Sequence, residues 1–284
     1  MHHCTLQKIT SLSGVGLHSG EMVNACLMPS IQPGIVFART DLPGKPIIPA
    51  DWRHVTRTVH ATTLEYEGVS VSTTEHLLAA LWSLGVTACI IELDGPEVPI
   101  LDGSAALWVE VIQKAGLEPL VEAGARPIYR LNTPVWIGNA EITVLGVPYH
   151  EFRLTCAVEY AVPNSRQVCD FVITPETFAN QLAPTRTFTL QSWIEPLRAQ
   201  GLIRGGSLEN ALILDENGAS APLRFTDELA RHKALDVLGD LALLFAPDGG
   251  ILQAHIIAQR AGHGPHRAWM EAALSQGALI KIAS

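Results

Sequence analysis

Arg231-His232-Lys233-Ala234-Leu235-Asp236-Val237-Leu238-Gly239-Asp240-Leu241 combines helical apolar spacing with three groups able to do chemistry. With Phe245 beyond it, Leu235, Leu238 and Leu241 keep helical spacing, so residues 226–245 are expected to form one long helix. His232 and Asp236 stand at i, i+4 and Asp240 follows at i+8, which aligns all three along one side. On spacing alone, the plainer reading is an amphipathic helix with a solvated polar face. The sharper reading is a pair of metal ligands, and a pair is incomplete. A catalytic zinc takes three protein ligands and keeps a fourth position for water.

The candidate third ligand is His76. It lies near the start of another helical pattern, in which Ser72-Thr73-Thr74-Glu75 precedes Leu77, Leu78, Leu81 and Leu84, with Gly85 at the cap position. Glu75 beside it could serve as general base toward a metal-activated water. A bland account competes with this. Ser72-x-x-Glu75 is a capping-box pattern, in which the carboxylate only satisfies a backbone amide, and His76 reads equally as a half-buried helix histidine.

Composition narrows the class. The 284 residues suggest about two domains at roughly 150 residues each. Hydrophobic residues at 48% against 17% charged describe a folded globular chain rather than a disordered or coiled-coil one. Lys plus Arg number 19 against 28 Asp plus Glu, so the basic footprint of a nucleic-acid partner is missing. A local basic groove for a nucleotide diphosphate stays compatible with that balance. Cys4, Cys26, Cys89, Cys156 and Cys169 are dispersed, odd in number and never paired as CxxC, which fits a reducing compartment. The first residues lack the apolar core of a signal peptide, and the stretches 86–93 and 237–245 fall short of a transmembrane segment. The expectation is a soluble, cytoplasmic protein.

Strands are expected at 23–28, 34–38 and 89–93 and a second helix near 105–115, giving a first domain of residues 1–118. Residues 119–127 carry Pro, Glu and Gly with little periodicity and read as a linker. The second domain, 128–284, begins with strands at 135–137, 141–147, 152–159 and 168–173. Helices near 175–181 and 190–200 follow, and then the long helix. Strands followed by helices in both halves argue for α+β architecture over a doubly wound sheet. Gly205-Gly206-Ser207 reads as a turn that could approach a ligand, without a GxGxxG or P-loop pattern. His263, in Ala261-Gly262-His263-Gly264, reads either as a solvated loop histidine or as a titratable group on a flexible stretch.

Taken jointly and in order, several stretches resemble a known family. They are Ser13-Gly14-Val15-Gly16-Leu17-His18-Ser19-Gly20, Ser72-Thr73-Thr74-Glu75-His76-Leu77, Pro96-Glu97-Val98-Pro99-Ile100-Leu101-Asp102-Gly103-Ser104-Ala105, Arg186-Thr187-Phe188, Gly201-Leu202-Ile203-Arg204-Gly205-Gly206-Ser207 and the 231–241 segment. Across residues 8–263 the chain resembles the UDP-3-O-acyl-N-acetylglucosamine deacetylases (the LpxC family), zinc amidases that commit bacterial cells to lipid A synthesis. The resemblance implies that His76, His232 and Asp236 bind Zn2+ and that Glu75 is the general base. It further implies that Thr187 helps stabilise an oxyanion, that Lys233 supplies positive charge, and that His263, supported by Asp240, is the cationic acid. Phe188 would meet the sugar ring. His18, Thr58, Ile203, Gly206, Ser207 and Ala211 match positions lining the substrate cleft or acyl passage.

The implied fold is two α/β sandwich domains, each a sheet with two helices, the helices packed between the sheets and zinc at the junction. The implied partner is an acylated UDP-amino sugar, handled by a monomer, with peripheral membrane contact left open. Departures from the family pattern are visible too. Residues 159–171 are shorter than the family's insert, which leaves acyl length open, and no lysine stands near 136–141 to meet the nucleotide. Extra residues, including Pro247-Asp248-Gly249-Gly250, separate Asp240 from His263, and Ala61 replaces a cysteine of some members. Gly264-Pro265-His266-Arg267 departs from an Asn-bearing continuation, so His266 rivals His263 as the acid. The alternatives are a non-catalytic ligand-binding homologue and a deacetylase of a different acylated amino sugar.

Overall fold

Apolar residues at every second position build two principal sheets in the computed structural model, which describes residues 1–282. The first runs Thr10–Val15, Met22–Pro29, Ala88–Leu93, Gly34–Arg39, Ile47–Pro49 in spatial order. Within Met22–Pro29, Val23, Ala25 and Leu27 are fully buried while Met22 and Asn24 face outward, the period-two pattern of a half-covered sheet. The second sheet has seven strands around Ile251–Gln259. That strand pairs antiparallel with Thr143–Val147 and parallel with both Phe152–Val158 and Ile128–Leu131. Its Leu252, Ala254, Ile256 and Ala258 turn inward. The fold is α+β, as expected.

Helices Glu75–Ser83 and Glu228–Phe245 pack against each other. Gly239 makes that packing unusually close. A Cβ there would lie 2.0 Å from the Glu75 carbonyl oxygen, so only glycine lets the long helix rest on the first turn of the other. Glycine inside a helix costs about 1 kcal/mol relative to alanine. Here the close approach sets Glu75 and His76 directly beside the His232–Asp240 side. That side is not solvated: His232, Asp236 and Asp240 are 1%, 3% and 2% exposed. The amphipathic-surface reading of the long helix is thereby excluded.

Other expectations are corrected. Residues 119–127, expected as a linker of little periodicity, lie largely within Leu117–Ala125, a strand paired antiparallel with His2–Leu6. Most of its side chains are exposed, so a strand held by backbone bonding showed no apolar alternation. Ser72 is no helix cap. Thr74 occupies that position without a side-chain bond, while the Ser72 hydroxyl pairs with that of Thr63 and Ser72 bridges Glu97. The 175–181 segment divides into a single turn, Pro175–Thr177, and a π-helical turn, Phe178–Leu182. His263 lies in no loop but opens the helix His263–Ser275. Among the described residues, no helix is long and apolar enough to cross a membrane.

Candidate active site

One turn of the long helix separates His232 from Asp236, and His76 reaches them from the second position of Glu75–Ser83. His76 Nε2 and His232 Nε2 each lie 3.6 Å from Asp236 Oδ1. His232 Nδ1 sits 3.1 Å from the Thr185 carbonyl, so this nitrogen donates and Nε2 carries the lone pair. That Nε2 is buried without a hydrogen-bond partner. A buried acceptor left bare is costly, and a ligand role accounts for it. Burial pushes His232 down to about 3, keeping it in the neutral form a metal needs. Burial works the other way on Asp236. The Lys233 ammonium, 2.7 Å from its Oδ2, and then His232 nevertheless hold it well below the usual carboxylate range. Two imidazole nitrogens and one carboxylate oxygen, all within 4.8 Å of one another, can hold a metal ion.

The next turn adds a second group. Glu75 Oε2 accepts the Thr62 backbone N–H at 3.2 Å, and Oε1 lies 3.9 Å from His263 Nε2. Burial raises the Glu75 carboxyl, opposed by the charge of His263. Asp240 accepts the Thr62 hydroxyl on Oδ1 at 2.5 Å, and the Nδ1–H groups of His263 and His266 on Oδ2 at 2.7 and 2.6 Å. Burial disfavours a charged His263, but Asp240 more than reverses that and its pKa is pushed up to about 9. A carboxylate that tends to take up a proton therefore faces an imidazolium, both beside the metal-capable triad.

A cavity of about 300 Å³ opens onto these groups. Its walls bring together the expected Glu75, His76, Asp236, Lys233, Thr187, Phe188, His263, His18, Thr58 and Ile203. Gly206, Ser207 and Ala211 line a neighbouring, more apolar cavity of about 200 Å³, whose wall shares Thr187, Phe188 and Ile203 with the first. Lys233 Nζ stands 5.2 Å from the centre of the Phe188 ring. His18 has both ring nitrogens buried and unpartnered. Its backbone N–H and that of Ser19 donate to Glu97, in space that Gly16 leaves open. His266 lies behind Asp240 and off the cavity wall, so His263 alone of the two faces Glu75.

Several residues around these groups were not singled out by the sequence. His60, Tyr160, Trp193 and Arg260 line the main cavity, and Thr62 ties Glu75 to Asp240. Thr73, His60, Ile203 and Arg260 hold positive φ values of 57°, 62°, 51° and 49°, and all four border the cavity. Such strain in non-glycine residues gathers at functional sites. Arg260, three residues before His263, could have been suspected from its basic charge; the others could not.

Residues 3–275 match the family described as LpxC, UDP-3-O-acyl N-acetylglycosamine deacetylase. Relatives named UDP-3-O-acyl-N-acetylglucosamine deacetylase agree with that match. The one from Solibacter usitatus (strain Ellin6076) is 43% identical over 281 residues, covering 98% of this chain and 93% of its own length. The one from Thermosynechococcus vestitus (strain NIES-2133 / IAM M-273 / BP-1) is 46% identical over 92% of this chain and 90% of its own. A third, from Myxococcus xanthus (strain DK1622), is 40% identical over 98% of this chain and 88% of its own. With that coverage, and with buried metal-capable histidines and aspartate on two packed helices, this chain belongs to the UDP-3-O-acyl-N-acetylglucosamine deacetylase family.

Proposed function

We infer that this protein is a zinc-dependent amidohydrolase that removes the N-acetyl group of UDP-3-O-(3-hydroxyacyl)-N-acetylglucosamine. Acetate and the free 2-amine leave, and the reaction is the committed step of lipid A biosynthesis. The observation that carries this reading is one cavity wall bearing Glu75, His76, Asp236 and His263, with His232 directly behind. His76, His232 and Asp236 would hold the zinc, which supplies Lewis acidity and an acidified water when bound.

The remaining chemistry belongs to the chain. Glu75 accepts the proton of the attacking water, a role favoured by a carboxylate whose burial makes it more basic than usual. The Thr187 hydroxyl donates toward the oxyanion that develops on the acetamide oxygen, where a well-aimed donor contributes roughly 3–4 kcal/mol. His263 delivers its Nε2 proton to the amide nitrogen as the carbon–nitrogen bond breaks, so the amine leaves neutral. Asp240 keeps Nδ1 protonated throughout. Lys233 holds Asp236 ionised. Phe188, His18 and Thr58 would meet the sugar, and the apolar cavity with Ile203, Gly206, Ser207 and Ala211 would take the acyl chain. The protein would act in the cytoplasm, as a monomer.

Acetate release from the acylated UDP-sugar tests this, using protein stripped with a chelator and titrated with zinc. The expected result is activity that disappears and returns near one equivalent. No turnover at any zinc level would overturn the reading. Equal turnover of UDP-N-acetylglucosamine lacking the acyl chain would instead transfer the activity to a different amino sugar.

A further inference from the structure

Asp240 serves two histidines with one oxygen. His263 Nδ1 and His266 Nδ1 approach the same Oδ2 at 2.7 and 2.6 Å, while Thr62 occupies Oδ1. One carboxylate oxygen has two lone pairs, so both rings must bring their proton on Nδ1, and together they saturate it. Positions three apart at the start of a helix share a face, which is how His263–Ser275 presents both rings to one acceptor. Their outer nitrogens differ. His263 Nε2 faces Glu75 across the cavity, whereas His266 is 1% exposed and its Nε2 is buried without a partner. At these separations the cluster is closed by its own hydrogen bonds and has no room for an ion between donor and acceptor.

We propose that His266 is a positioning residue for the deacetylation: its Nδ1–H on Asp240 fixes the carboxylate, which in turn holds His263 in the direction that aims its Nε2–H at the substrate. This rests on the hydrolase reading above, because it takes His263 as the proton donor. Without His266, Oδ2 loses one of two donors in a buried setting, and the carboxylate is free to turn away from His263. His266 touches neither the cavity nor the metal-capable triad, so its effect passes through Asp240.

Two substitutions separate the donor from the volume. His266→Asn places an amide nitrogen at the same bond distance from Cβ as Nδ1, so an N–H can still reach Asp240. His266→Leu fills the space without a donor. The expected result for His266→Leu is a tenfold or greater fall in kcat with KM within twofold, and no further loss when His263→Ala is already present. His266→Asn should recover most of the wild-type kcat. In protein labelled with 15N-histidine, the wild type should show hydrogen-bonded Nδ1 protons from both His263 and His266, beside that of His232 on the Thr185 carbonyl. His266→Leu should displace or broaden the His263 signal as well as remove its own, and His266→Asn should leave the His263 signal in place. Should His266→Leu not fold, His266→Gln carries the same expectation, because its amide sits one atom further out and misses Oδ2.

Three outcomes would overturn the proposal: an unchanged His263 signal with unchanged kcat in His266→Leu, losses that multiply in the double variant, or equal damage in both single variants that tracks a lower melting temperature. The nuclear magnetic resonance readout needs no substrate. A His263 signal lost in His266→Leu, in protein that turns over no acylated UDP-sugar, would keep the coupling and overturn the hydrolase reading instead.

Discussion

Two clusters stand a turn apart on the long helix, each an aspartate of that helix met by two histidines, and they are built in opposite ways. Around Asp236, both imidazoles point Nε2 at the carboxylate from 3.6 Å, too far for a good hydrogen bond, and His232 has its other nitrogen committed to Thr185. Around Asp240, both imidazoles approach through Nδ1 at 2.6–2.7 Å and close on the oxygen. The same two residue types therefore make an open set of ligand atoms in one turn and a saturated hydrogen-bond unit in the next. Distance and choice of nitrogen distinguish a set of atoms that can hold a metal from one closed by its own hydrogen bonds, where composition does not.

Substitution of the aspartates tests that contrast most strongly. Asp236→Ala should abolish stoichiometric zinc retention after dialysis and lower kcat/KM by about a thousandfold or more. Asp240→Ala should retain near-stoichiometric zinc while activity falls by about a hundredfold, the size of a lost general-acid contribution. Metal analysis beside kinetics checks both. Zinc lost equally from the two variants would erase the distinction.

The pH profile gives the next largest effect. On the proposed mechanism, activity requires Glu75 without its proton and His263 with one. Because burial raises Glu75, the rise in kcat/KM with pH should come later than for an ordinary glutamate. Because Asp240 lifts His263 to about 9, the fall should come near that value rather than near 6.5. The raised pKa preserves the acid through neutral pH and loses it only on the alkaline side. Asp240→Asn removes the charge responsible, so its alkaline limb should move to lower pH. Glu75→Gln should lose the acid limb and about 10²–10⁴ of the rate with zinc content unchanged. An alkaline limb that ignores Asp240→Asn would show that another group donates the proton.

How much of this was legible follows from what each signal depends on. The i, i+4 and i+8 spacing placed His232, Asp236 and Asp240 on one helix side, because helix periodicity is local. That the side is buried was not local. It depends on Gly239, whose missing side chain admits the other helix, and on the helix His263–Ser275, whose His263 and His266 close over Asp240. The capping-box pattern before Glu75 was misleading for the same reason, since its carboxylate is claimed by Thr62 and His263 from elsewhere in the chain. Resemblance in motif order supplied the roles that spacing left open. It gave no hint of Thr62, or of His266 sharing the carboxylate, because both connections are tertiary.

Thr62 offers the smallest and most selective perturbation. Its backbone N–H holds Glu75 and its hydroxyl holds Asp240, and a side-chain substitution removes only the second bond. Valine matches threonine in shape but not in donor, so Thr62→Val strips one of three donors from a buried carboxylate without opening a cavity. The expected cost is about 1–3 kcal/mol of stability, read as a lower melting temperature, with a severalfold drop in kcat. Zinc affinity should stay within twofold, because His76, His232 and Asp236 have no bond to Thr62 among the described residues. A large loss of zinc with Thr62→Val would mean that the two clusters share one support, and that the metal turn depends on the hydrogen-bonded turn beside it.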